Sequence, residues 1–150
     1  SACLAETNPE NGVYPFLERC KRITPHSVER LMDYVTTGHV QPTWIAATIT
    51  FVQQTRRTWK SAKDVQETAK RLQQLLRFLS VDTPAGLQDW AATYQHAVEH
   101  VVAEYVVQIT TNTTLRRRHQ GLVVAGGLGF NAKVNSHLHR ATGLLVHVPP

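Results

Sequence analysis

Ser61-Ala62-Lys63-Asp64-Val65-Gln66-Glu67-Thr68-Ala69-Lys70-Arg71-Leu72-Gln73-Gln74-Leu75-Leu76-Arg77-Phe78-Leu79 has the clearest periodicity in the chain. Val65, Ala69, Leu72, Leu75, Leu76 and Leu79 recur at helical spacing, so their side chains share one stripe. Ser61 and Asp64 make a capping-box-like start, with Asp where Glu or Gln is usual. Glu67 lies one turn before Arg71, the favourable order for an ion pair along a helix. An isolated helix of this length is marginal in water, and the apolar stripe gains its stability by packing. The stretch therefore predicts an amphipathic helix inside a helical domain.

On the N-terminal side, Pro42 opens a second helix expected to run to about Lys60. Trp44 to Val52 is β-branched enough for a strand, but the alternation is not strict, and Gln53, Gln54, Arg56 and Arg57 favour helix. Before it, Thr24 as N-cap, Pro25 at the first helical position and Gly38 at the end bracket Val28, Leu31, Met32 and Val35. Phe16 to Ile23 is a short candidate helix burying Phe16, Leu17 and Cys20, and residues 1–12 are an irregular lead-in. On the C-terminal side, Asp82-Thr83-Pro84 starts the last long helix. Leu87, Trp90, Tyr94, Val98, Val101 and Tyr105 define its core stripe, to about Gln108. Ile109-Thr110-Thr111-Asn112-Thr113-Thr114 is a poor helix interior and is expected to break it.

These readings predict one mainly α domain over residues 1–150, a four- to five-helix bundle with antiparallel neighbours. Residues 113–150 form a basic, Gly-containing segment, helix or short strand, that packs on the bundle or on a partner chain. Leu122, Val123, Val124, Leu144, Leu145 and Val146 require burial there.

Charge separates the same segment. The net charge is +5, yet all eleven Asp and Glu lie at or before Glu104, together with eleven of the sixteen Lys and Arg. Residues 105–150 hold no carboxylate, only Arg116, Arg117, Arg118, Lys133 and Arg140 and four of the eight histidines. Such asymmetry points to an anionic partner. Arg116, Arg117, Arg118, Lys133 and Arg140 are accordingly the candidate nucleic-acid or polyanion contacts, guanidinium forks being suited to phosphates. The run carries no interleaved aromatic for base stacking. Three arginines also suit a solvated helix terminus.

His96-Ala97-Val98-Glu99-His100 fits the H-x-x-E-H pattern of inverted zinc peptidases. On a helix, His96 and His100 share a face and make a candidate metal pair with Glu99 as base. That resemblance implies a further carboxylate ligand downstream. None follows except Glu104, so a solvated helix face is the favoured reading. Gly127-Leu128-Gly129-Phe130-Asn131-Ala132 fits G-x-G-x-x-A after the apolar Leu122–Ala125, with Asn131–Ala141 as a helix and Leu144–Val148 as a return strand. The acid expected about 20 residues on, for a ribose hydroxyl, is missing. Two parallel strands alone also make a poor sheet. A glycine-rich turn or hinge is the favoured reading, with phosphate contact through the same amides still conceivable.

The remaining candidates are weaker. Asn112-Thr113-Thr114 is a sequon, and His137-Leu138-His139 would place two imidazoles on one side of a strand. Cys3 and Cys20 are expected to be reduced. Trp44 and Trp90 are assigned to the core. Trp59, with Arg56 and Arg57 near it, is expected to be partly exposed, as an interaction anchor or an Arg-stacked surface residue.

Without a complete catalytic constellation, these features point to a non-enzymatic helical protein-interaction or assembly domain, part of a larger protein or complex. The alternatives are nucleic-acid binding through the basic segment and a zinc-dependent hydrolase using His96 and His100. The expected partner is a protein or a second copy, or else a polyanion. No cofactor, no membrane and an intracellular location are expected.

Overall fold

The computed structural model describes residues 33–55, 62–111 and 121–149. Arg56, Arg57, Trp59, Ser61, Cys3, Cys20, the sequon and Arg116–Arg118 lie outside these residues. The expected class holds: the chain is mainly helical, with a small two-stranded parallel sheet. Helices α1 (Pro42–Thr55), α2 (Ala62–Phe78) and α3 (Pro84–Thr111) are followed by strand β1 (Gly121–Val123), a 3-10 turn (Gly127–Phe130), α4 (Ala132–Thr142) and β2 (Leu145–His147). No described helix is long and apolar enough to cross a membrane. The chain divides into two compact units, one ending at Gln95 and one running from His96 to Pro150. Helix α3 contributes its first part to one and its second part to the other.

In the first unit α1 packs on α2. The α2 stripe is buried as its spacing predicts, through Leu72, Leu76 and Leu79, and Glu67 and Arg71 pair at 3.2 Å on the exposed side. The helix closes on Ser80 in the left-handed region at φ 55°, with Val81 N–H donating to Leu76 O at 2.9 Å. Thr83 caps α3, its hydroxyl accepting from Gly86 N–H at 3.0 Å, and Pro84 fills the first helical position. Residues 33–37 are helical, and Gly38 N–H donates to Tyr34 O at 3.0 Å.

From Gly38 the backbone passes so close to Gln88 that a Cβ would collide with the Gln88 carbonyl. Beyond it, Asp89 accepts from His39 N–H at 2.8 Å and from the Gln41 side-chain amide at 2.6 Å. Gln41 N–H donates to the hydroxyl of the fully buried Thr93 at 2.9 Å. The Trp90 and Tyr94 rings pack tilted at 35°, 5.2 Å between centroids, and burial raises the Tyr94 phenol above its ordinary range.

In the second unit, Ala103 of α3 and Val134 and Leu138 of α4 form the buried centre. Val98, Val102, Val106, Leu122, Val124 and Val146 close around them. Val134 and Leu138 are 0% and 1% exposed, and full burial of each contributes roughly 1.5–3 kcal/mol. The strands pair in parallel, Gly121 opposite Leu145, Leu122 opposite Val146 and Val123 opposite His147. Alternation turns Leu122 and Val146 onto the helices and leaves Val123 and Leu145 72% and 73% exposed on the other face.

Two expectations for α3 are corrected. The helix continues through Ile109 and Thr110 to Thr111, and both threonine hydroxyls donate back to carbonyls four residues earlier. Thr110 reaches Val106 at 2.9 Å and Thr111 reaches Val107 at 2.7 Å, so each side chain is satisfied without leaving the helix. Tyr105 is 55% exposed rather than in the core: Val101 of the expected stripe is buried, but beyond it burial passes to Ala103. The segment expected to be either helix or strand contains both.

Candidate functional site

The C-terminal unit contains a strand, a glycine turn, a helix and a parallel return strand, the arrangement set aside above in favour of a simple turn or hinge. The turn lies at the carboxyl end of β1 and leads into the N-terminus of α4. In parallel α/β units that position receives ligands, because backbone N–H groups and the positive end of the helix dipole converge there.

Three glycines build the turn with different roles. Gly126 sits at φ 75°, ψ −166°, a region open in practice only to glycine. Its carbonyl accepts from Gly129 N–H at 2.9 Å. A Cβ at Gly126 or Gly127 would meet nothing within 4 Å, so both backbones border open space. Gly129 is the opposite case. It is buried, and a Cβ there would lie 2.7 Å from Val124 O and 3.0 Å from the Val148 methyl. The fingerprint frame beginning at Gly127 therefore missed the left-handed residue, which is Gly126.

Two asparagines fasten the turn to the helix. The Asn131 side chain caps α4, accepting from Val134 N–H at 3.1 Å. Asn135, one turn on, donates its amide to Gly129 O at 2.8 Å. Neither was singled out as a site residue above. The Gly126-Gly127 pair and a cap-forming Asn directly after the turn were the available signals. The first turn of α4 holds no acid and includes the half-buried Lys133, so nothing there opposes an anion.

The other candidates fall elsewhere. Arg140 is exposed in the last turn of α4, about two turns from Lys133 along the same side. His96 and His100 are exposed on α3. Among the described residues no group of three or more His, Cys, Asp or Glu is placed to hold a metal ion. His137 and His139 belong to a helix, not a strand, and point apart. His137 Nδ1 lies 3.8 Å from the Glu99 carboxylate, whereas His139 Nδ1 lies 2.8 Å from Leu144 O.

The model of the carbamoyltransferase N-terminus matches residues 10–150, nearly the entire chain. The chain belongs to that family. No curated protein and no solved structure matches significantly. Membership in an enzyme family overturns the reading of a non-enzymatic interaction or assembly domain, and with it the nucleic-acid and zinc-hydrolase alternatives. The error has a physical source. The acids missing after Glu104 are those that a zinc peptidase and a ribose-binding site require. Their absence removes two chemistries and carries no information about a third.

Proposed function

We propose that this chain is part of an enzyme that transfers a carbamoyl group. In this reading the turn from Gly126 to Ala132 receives the phosphoryl group of its activated substrate. Family membership supports the reaction class. The observation that carries the site is the open backbone at Gly126 and Gly127, directly before the N-terminus of α4.

Carbamoyl transfer breaks the bond between the carbonyl carbon and a leaving oxygen. The acceptor atom bonds to that carbon and gives up its proton. With a phosphorylated donor the phosphate is the leaving group: it departs with the electron pair on its bridging oxygen, and the acceptor's proton passes to it or to solvent. Backbone N–H groups and the positive end of α4 favour that charge at no cost in reorganisation. Lys133, in the same helical turn, adds a formal positive charge.

The test is calorimetric titration of the protein carrying this chain with carbamoyl phosphate in one arm and ATP in the other. The two arms separate a donor phosphate from a nucleotide phosphate. Gly127→Ala places a methyl group in open space, so folding is unaffected while ligand approach is obstructed. Affinity for the bound probe should fall by about tenfold or more, as small misplacements at reacting centres do. Binding of neither probe, or binding indifferent to Gly127→Ala, would remove the site.

A further inference from the structure

We infer that Asn135 is a positioning residue that holds the glycine turn in its ligand-receiving shape; this rests on reading the turn as a phosphate site. Its amide Nδ2 donates to Gly129 O at 2.8 Å, but its Oδ1 is buried and has no hydrogen-bond partner among the described residues. An acceptor stranded in this way costs stability and offsets part of what the bond to the Gly129 carbonyl contributes. The amide is kept for what that bond does to the turn.

Gly129 has no room for a side chain, because a Cβ there would lie 2.7 Å from Val124 O, and its carbonyl is held by the amide of Asn135. Gly129 N–H in turn donates to Gly126 O at 2.9 Å, so the constraint passes to the left-handed residue at the head of the turn. Glycines have more backbone freedom to lose than any other residue, and the exposed Gly126 and Gly127 need such fastening to hold one shape. The bond also keeps the Gly129 oxygen engaged by the protein. A carbonyl oxygen swung toward a phosphate would repel it.

The experiment pairs Asn135→Leu with Gly127→Ala in the titrations described above, with thermal melting recorded for each. Asn135→Leu removes the donor together with the stranded acceptor. The expected result is a folded protein with a modestly lowered Tm and, measured well below that Tm, affinity lower by about tenfold or more. A side chain with a merely structural role would lower the Tm and leave the affinity of the folded protein unchanged. Should Asn135→Leu fail to fold, Asn135→Ala decides by the same two readouts, since it removes the donor without adding a charge.

Parent-like affinity in the folded Asn135 variant overturns the inference. If Gly127→Ala still weakens binding in that case, the phosphate site itself stands. Loss of fold in both Asn135 variants makes it a packing residue and also overturns the inference. Absence of binding in the parent removes both readings.

Discussion

The unit ending at Gln95 and the unit beginning at His96 solve the same problem with different materials. The first relies on helices, on the α2 stripe and on a polar clasp in which Asp89 and Thr93 hold the backbone at His39 and Gln41. The second gathers a small apolar centre, Val134, Leu138 and Ala103, under a sheet of two strands. In one, long-range order comes from hydrogen bonds between a linker and a helix; in the other, from a few aliphatic side chains. The comparison teaches that a short core is enough to fix a glycine turn when the turn's own glycines and asparagines complete the job.

The strongest way to break this contrast is Leu138→Ala. Removing a fully buried leucine from so small a centre should cost roughly 2–5 kcal/mol. Hydrogen exchange should show the loss concentrated in β1, α4 and β2. Equal loss of protection in α1 and α2 would mean that the two units share one cooperative core.

A smaller effect tests the clasp. The His39 N–H first, and the Gln41 amide second, hold the Asp89 carboxyl below its ordinary value of 3.8. A depressed folded-state value stabilises the charged form, so the contribution is complete above 3.8 and is lost as pH falls through the folded value. Denaturation midpoints should favour the parent over Asp89→Asn at about pH 5 and above, and the gap should close in more acidic buffer. A gap that stays constant through the acid range would show that charge at Asp89 is not what holds the clasp.

The smallest effect concerns the end of α2. Ser80 occupies the left-handed region at φ 55°, where a Cβ is unfavourable. Ser80→Gly should raise stability by about 1 kcal/mol in chemical denaturation. No gain, or a loss, would show that the serine hydroxyl offsets the backbone strain.

The sequence was informative where one side of an element meets the core and the other meets water. Leu72, Leu76 and Leu79 were placed correctly for that reason, and so was the start of α3 at Thr83-Pro84, where local capping chemistry decides. It was misleading where burial shifts along one helix. The middle of α3 buries Ala91, Ala92, Thr93, Gln95 and Ala97 in near succession, and no single stripe describes it.

The C-terminal unit was legible in its local signals: an apolar run, glycines, a cap and a second apolar run. Two objections weigh against reading it as a ligand-binding unit, the missing acid downstream and the size of the sheet, and neither bears on whether a strand, a glycine turn, a helix and a return strand form. The reaction class could not be read at all. A glycine turn and a helix N-terminus suit many anions, so by themselves they name no reaction.

The parallel pairing of β1 with β2 has a consequence for the order of events during synthesis. β1 leaves the ribosome at Gly121–Val123, but the strand it pairs with is not made until Leu145–His147. At roughly 5–20 residues per second, β1 and the glycine turn wait about one to five seconds without a partner. An isolated helix of 11 residues is marginal in water, so α4 too gains its stability only when its partners are present. Sheet, helix and glycine turn therefore become stable together, once β2 has been made.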